Sequence, residues 1–183
     1  MVTIILAHPW HGSFNKAIMD VIMEKYESEA KPYQIIDLNK DRFNPVVSED
    51  ELALYNEGGV IDPMVFQYQD MIKNTDEVIF IFPNWWSSMP AILHGFFDKV
   101  FSKGFAFTEE NGWTPLLDVQ KTTVITTSAA PTSVFADFVE NVFIAKMLSG
   151  IGFKNAKWYN CERVVAGGEQ HRKDFLSIIE SAV

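Results

Sequence analysis

Short apolar runs alternating with stretches of helical spacing settle the fold class of this chain before any single residue is considered. Residues 2–7 (VTIILA), 33–38 (YQIIDL), 78–82 (VIFIF), 122–127 (TTVITT) and 156–161 (AKWYNC) read as strands. The first and third are apolar almost without a break, as strands covered on both faces must be. Between them the period changes to that of an amphipathic helix. Phe14, Ala17, Ile18, Val21, Ile22 and Tyr26 mark a helix over 14–27. Ile92, Leu93, Phe96, Phe97, Val100 and Phe101 mark another, with Pro90 in its first turn and Ser87 or Ser88 as its cap. Phe135, Phe138, Val139, Val142, Phe143 and Met147 repeat the spacing, and 172–183 close the chain with Phe175, Leu176, Ile178 and Ile179. Such alternation predicts an α/β fold with helices on both faces of a parallel sheet. At 183 residues, with no linker or repeat, the expectation is a single domain over 1–183.

About forty residues separate the second and third strands, more than a plain crossover needs. Of these, 41–50 read as loop, 51–56 as a short helix and 62–74 as the crossover helix. The acidic Glu49, Asp50 and Glu51 suit a solvated helix start, where the dipole favours negative charge.

The net charge is −9 and no run of Lys or Arg occurs, which excludes the basic footprint of a nucleic-acid or anionic-membrane binder. Cys161 is the sole cysteine, so no internal disulfide forms; a buried filler in a reducing compartment is its expected role. The start, MVTIILAHPWHGS, lacks a basic n-region, and no apolar stretch approaches the roughly 18 residues of a membrane span. A cytoplasmic protein is expected.

In an open parallel sheet, ligands bind beyond the carboxyl ends of the strands, where strand order reverses. Three loops leave carboxyl ends here with chemistry to offer. Residues 8–15 (HPWHGSFN) run straight into a helix, whose N-terminal amides and hydroxyls hold phosphate without lysine. Ser13 is an N-cap candidate there. His8 and His11 are three apart, but no cysteine or acidic partner accompanies them, so no metal site is predicted. Residues 83–89 place Trp85 and Trp86 side by side in a loop. A flat aromatic ligand would resolve the cost of leaving them wet, and so would burial under a neighbouring segment or subunit. Residues 126–133 (TTSAAPTS) offer hydroxyls and amides behind small side chains. Together, a phosphate holder, an aromatic wall and an amide-rich rim describe a site for a phosphorylated flat heterocycle.

At these residues the chain resembles the flavodoxin-fold NAD(P)H:quinone reductases, including the ancillary proteins of glutathione-gated potassium efflux. A strand ending in Ala7-His8 and followed by Ser13-Phe14-Asn15 matches the family's first signature. Phe82-Pro83-Asn84-Trp85-Trp86, with Pro90-Ala91 and the aromatic-rich 92–101, matches its second, and Gly104-Phe105-Ala106-Phe107 follows as in the family. The likeness runs from Ile4 to about Ile151.

The resemblance implies a flavodoxin-like three-layer sandwich with a five-stranded parallel sheet of order 2-1-3-4-5. It implies FMN as cofactor, NAD(P)H as electron donor and a quinone or similar two-electron acceptor. His8, Ser13, Phe14 and Asn15 would meet the phosphate end; Pro83, Asn84, Trp85 and Trp86 would meet the ring. Thr127, Ser128 and Ala129 would form the rim, with Ser128-Ala129-Ala130 standing where the family usually carries glycines. Alanine does not tolerate positive φ as glycine does, so a different loop path is expected. The tyrosine and histidine that mammalian members place beyond this loop are replaced by Val134, Phe135 and Asp137. The extension of the mammalian enzymes after the last helix is also absent, which implies FMN in preference to FAD. No acid–base side chain is required, since the cofactor carries the chemistry. Related proteins are homodimers with shared flavin sites, so a homodimer is expected. Two alternatives stand beside the enzyme: a flavin-binding regulatory subunit of a potassium-efflux-type membrane transporter, and a one-electron flavodoxin carrier. The identity of the acceptor and the choice of NADH or NADPH are not legible.

Overall fold

The computed structural model describes residues 1–183. In chain order the elements are β1 (Val2–Leu6), α1 (Phe14–Ser28), β2 (Tyr33–Asp37), α2 (Glu49–Ala53), a 3-10 turn (Tyr55–Glu57), α3 (Pro63–Lys73) and β3 (Glu77–Pro83). There follow α4 (Ala91–Val100), a small hairpin of β4 (Phe107–Thr108) and β5 (Thr114–Pro115), and β6 (Lys121–Thr127). A wide helical segment (Phe138–Leu148), β7 (Ala156–Cys161) and α5 (Gly168–Ala182) complete the chain. The parallel sheet has the order β2-β1-β3-β6-β7, which is 2-1-3-4-5 once its own strands alone are numbered.

Side-chain alternation along each strand feeds two cores. Ile5, Phe80, Phe82 and Val124 pack with Phe96, Phe97, Val139 and Phe143 on one face. Ile4, Leu6, Ile79, Ile81 and Ile125 pack with Ile18, Ile22, Phe175 and Ile179 on the other. The register sets Leu6 beside Ile81, Pro83 beside Thr127 and Thr127 beside Cys161, which levels the carboxyl ends of the central strands. β1 leads to α1 on one face and β3 to α4 on the opposite face, so the connections diverge and open a crevice between them.

The long β2–α3 connection is latched onto α4. Gly95 lies under Pro45, where an added Cβ would fall 2.1 Å from the Pro45 carbonyl oxygen. One turn on, Lys99 is only 7 % exposed and bonds Asn44 O (3.1 Å), Asp62 Oδ2 (3.0 Å) and Glu51 Oε1 (3.0 Å). The α4 stripe that reads as plain apolar packing therefore also holds a glycine for close approach and a buried ammonium. The acidic 49–51 run forms the first turn of α2, capped by Ser48 in a reciprocal capping box with Glu51.

Two expectations change. α4 has no side-chain cap: it starts after Pro90, and Ser88 bonds His94 instead (3.1 Å). The segment after β6 is wound as a π-helix, so its buried residues fall at Phe135, Val139, Phe143 and Leu148, at spacings of four and five. Val142 and Met147, which 3.6-residue spacing would bury, are only partly covered. The β4–β5 hairpin had no signal in the reading of strands. Its two-residue strands are too short to show a period. No helix is long and apolar enough to cross a membrane.

Candidate functional site

A cavity of about 570 Å³ opens at the β1/β3 switch point. Its lining includes His8, Ser13, Phe14, Asn15, Pro83, Asn84, Trp85, Thr127, Ser128 and Ala129, so ten of the residues expected from the sequence converge there. Trp86 does not. Trp85 and Ser88 exchange backbone hydrogen bonds (3.0 and 3.1 Å), closing a two-residue turn in which Trp86 and Ser87 take φ of 54° and 58°. That pattern is usual for Asn-Gly, and two non-glycine residues in the left-handed region cost about 1–2 kcal/mol each. The turn throws Trp86 fully into solvent while Trp85 stays against His8, with ring centroids 6.0 Å apart. Adjacent tryptophans thus have separate surroundings: one forms the cavity wall, and the other forms the tip of the turn.

The floor is built by the start of α1. Ser13 caps the helix by accepting Lys16 N–H (3.2 Å), and no acidic residue occupies the first turn. The backbone N–H groups of Gly12, Phe14 and Asn15 have no acceptor in the chain. A Cβ at Gly12 would lie 2.4 Å from the indole of the exposed Trp10, which would have to turn aside to admit it. Asn15 is buried and donates to Thr127 Oγ1 (2.9 Å), leaving its Oδ1 without a partner. Because a hydroxyl both donates and accepts, either end of that amide can take the Thr127 bond, and the other end stays open. Asn84, whose N–H bonds Thr127 O (2.7 Å), likewise keeps an unpartnered Nδ2. Buried polar atoms are rarely left unsatisfied, and a cluster of them along one cavity is the mark of a polar ligand.

Charge on the lining is one-sided. Arg172, on α5, is its one permanent cation, held by a bond from Nη1 to Val164 O (2.9 Å), and no carboxylate lines the cavity. Burial lowers the pKa of His8. His8 Nδ1 lies 3.1 Å from Trp10 N and 3.2 Å from Trp10 O. The amide can only donate, and its bond occupies the lone pair of Nδ1. Nδ1 is therefore the acceptor, and the neutral ring carries its proton on Nε2. His11 turns elsewhere, to Asp37 Oδ2 at 2.8 Å.

Residues 128–130 run at negative φ throughout, so the rim needs no glycine to follow its path. The backbone N–H groups of Ala129 and Ala130 have no acceptor. Cys161, beneath this rim, is 1 % exposed, and burial pushes its thiol up to about 11, which fits a packing role.

Trp10, Gly12, Val164, Val165 and Arg172 also line the cavity and were not picked out as contact residues from the sequence. The first two lie inside a loop already singled out. The other three come from the β7–α5 connection and α5, where no motif marks them and only the topology brings them to the β1 end.

The donor set fits a phosphorylated flat heterocycle: open amides and a helix N-terminus for the phosphate, Arg172 for its charge, Trp85 for the ring. Comparison with known proteins agrees in fold. The chain is 27% identical over its full length to an uncharacterized NAD(P)H oxidoreductase of Escherichia coli, and covers 94% of that relative. It is 38% identical over 110 residues, 60% of this chain, to an uncharacterized NAD(P)H oxidoreductase of Haemophilus influenzae, whose length the match spans by about half (54%). Among solved structures, the NAD(P)H:quinone oxidoreductase of Methanothermobacter marburgensis superposes with a TM-score of 0.88 at 24% identity, covering 99% of this chain and 95% of that one. An FMN-dependent NADH-azoreductase of Bacillus anthracis, solved with FMN, superposes at 0.78 with 16% identity, covering 99% and 96%. The family model described as a flavodoxin-like fold matches residues 1–181, and with the sheet order found here it places this chain in that family.

Proposed function

We propose that this chain is an FMN-dependent NAD(P)H oxidoreductase that delivers reducing equivalents to a quinone or a similar two-electron acceptor. The observation that carries the reading is the cavity itself. Open N–H groups line its floor and rim, its one permanent charge is positive, and its wall is a tryptophan. The names of the relatives and of the structural neighbours support the same chemistry.

The residues divide the task. The N–H groups of Gly12, Phe14 and Asn15, the Ser13 hydroxyl and Arg172 would hold the phosphate; a single monoester accounts for them, which favours FMN over FAD. Trp85 would bound one side of the ring. Asn84 Nδ2 and the Ala129 amide are donors for its polar edge. Fixed dipoles of this kind stabilise negative charge where it develops without reorganising. His8, neutral with its proton on Nε2, contributes a hydrogen bond and no proton transfer. FMN held by these residues would supply the two-electron chemistry that links the nicotinamide to the acceptor.

The test is an absorption spectrum of protein incubated with FMN and desalted, followed by anaerobic NADH and then NADPH. A retained yellow spectrum that bleaches with either nucleotide is expected. Retained flavin that neither reduces would replace the enzyme by a carrier or a regulatory subunit, and loss of all flavin on desalting would sink the reading. Trp85→Ala should weaken FMN binding by about tenfold, in line with the roughly 1–3 kcal/mol of a ring stacked on a base-like heterocycle. Its melting temperature should hold, because the residue is 45 % exposed. Equal affinity in that variant would assign Trp85 to packing alone.

A second copy of the chain is the proposed cover for the mouth. Trp10, Trp85 and Trp86 are 67 %, 45 % and 101 % exposed around it, an unusual aromatic surface to leave in water. Light scattering at micromolar concentration should give twice the 20.8 kDa chain mass; a monomer mass would remove the dimer.

A further inference from the structure

The rim of the cavity is held by a hydrogen-bond network that no motif announces. At its centre is Asn160 on β7, whose side chain ties the end of β6 to the loop that follows it. Its Nδ2 donates to Ser128 Oγ (3.2 Å) and to Thr132 Oγ1 (2.9 Å), and its Oδ1 accepts from the Thr126 hydroxyl (2.9 Å). The partners are committed in turn. Thr126 Oγ1 accepts Trp158 Nε1–H (2.8 Å), Ser128 donates to Ala130 O (2.8 Å), and the Thr132 hydroxyl and N–H both donate to Glu162 Oε2 (3.0 and 2.8 Å). Those Thr132 bonds hold the Glu162 carboxyl below its usual pKa, the backbone one most strongly. Each hydroxyl has one acceptor and each donor one target, so the proton arrangement is unique. The backbone adds Ser128 N–H to Cys161 O and Val164 N–H to Ser128 O, both 3.0 Å.

We infer that Asn160 is a positioning residue for the cofactor rim: it fixes the loop that presents the free Ala129 amide to the bound ring. The inference rests on the FMN reading and adds to it. A rim of glycines could settle onto a ring by flexing, whereas this rim is alanine and its path is imposed from behind by β7. Amides locked before the cofactor arrives favour the form carrying the extra negative charge that reduction brings, so Asn160 acts on the balance between oxidised and reduced cofactor more than on total affinity.

Asn160→Asp keeps the size and removes both Nδ2 hydrogens. The Ser128 and Thr132 hydroxyls must then turn to donate to the new carboxylate, which releases Ala130 O and leaves Glu162 with the Thr132 N–H alone. Two measurements follow. In the cofactor-free protein, amide hydrogen exchange at Ser128, Thr132 and Val164 should be faster by about tenfold, the factor that corresponds to losing roughly 1.4 kcal/mol of local stabilisation. With FMN, affinity for the reduced cofactor should fall more than affinity for the oxidised one, by about tenfold in the ratio, equal to about 30 mV for a two-electron couple. Asn155→Ala, at the opposite end of β7, removes a bond to Gln120 O (2.8 Å) and should alter neither. Unchanged exchange in Asn160→Asp overturns the clamp. Faster exchange with an equal loss for both cofactor forms reduces Asn160 to a packing residue and overturns its positioning role. A wild-type protein that takes up no FMN overturns the flavin reading and the role of the rim with it, while the exchange data still report separately on the clamp.

Discussion

Replacing Lys99 by alanine should destabilise the fold by about 3 kcal/mol, the largest single-residue loss expected away from the cavity at the β1/β3 switch point. Removing one partner of a buried ion pair costs about 3–5 kcal/mol, because the other charge is left behind. The lower end applies, since the Glu51 and Asp62 side chains are 15 % and 23 % exposed and regain some water. For a chain of this size the melting temperature should drop by roughly 6–12 °C. Burial opposes charge on Lys99, yet its hydrogen bonds to Glu51 and Asp62 outweigh that penalty and raise its pKa. Burial likewise opposes charge on Glu51, and the bonds from Ser48 and Lys99 outweigh it and lower its pKa. The lowered carboxyl contributes stability that is complete above the ordinary glutamate range and is lost as pH falls through its own lower value. The raised ammonium contributes stability that is complete below the ordinary lysine range and is lost as pH rises through its own higher value. A flat plateau near neutrality with losses at both extremes should therefore mark wild type, and both losses should be smaller in Lys99→Ala. Adding Glu51→Gln and Asp62→Asn should recover more than half of the deficit; Asn also serves as an N-cap, as Asp62 does for α3 by accepting Met64 N–H at 2.9 Å. Denaturant melts of the single and triple variants decide it, and a loss below about 1 kcal/mol, the worth of an exposed pair, would show that the cluster is effectively solvated.

The latch at Lys99 also shows where the sequence stops being readable. Apolar periodicity is a local signal, and it is enough for the five strands of the parallel sheet, the order of the layers and the three loops at the carboxyl ends. Those loops carry twelve of the fifteen cavity residues because strand ends are fixed once the sheet is. What local patterns miss is a partner distant along the chain. Lys99 reads as a surface residue on an aromatic helix until Asn44, Glu51 and Asp62 close over it. Trp86 reads as a twin of Trp85 until two positive φ values separate them, and no composition rule forecasts a left-handed tryptophan. The rim of Ser128-Ala129-Ala130 reads as a departure from a glycine pattern, while the structure supplies Asn160 to hold it, thirty-two positions from Ser128.

Arg172 is the plainest case of such a distant partner, and its removal should have the largest effect on cofactor binding. No motif surrounds it, yet α5 delivers the one permanent cation of the cavity. One guanidinium nitrogen is tied to Val164 O, which fixes its plane and leaves the remaining donors for an anion. Hydrogen bonds to charged groups are worth about 1.5–3 kcal/mol, so Arg172→Leu should weaken FMN binding by roughly 10- to 150-fold. Arg172→Lys should restore part of it, since a point charge replaces the planar fork. The discriminating ligand is riboflavin, which has the ring and the ribityl chain without the phosphate. Its affinity should be nearly the same in wild type and Arg172→Leu, while FMN falls toward the riboflavin value. Wild-type FMN binding should also weaken with added salt more steeply than that of the variant, because an accessible ion pair is screened. Fluorescence titration of both ligands against both proteins separates the cases. If FMN and riboflavin lose affinity equally, Arg172 is bracing the Val164 loop and the phosphate is held by the α1 amides alone. If only FMN does, the cation missing from every motif in this acidic chain is the one that anchors its cofactor.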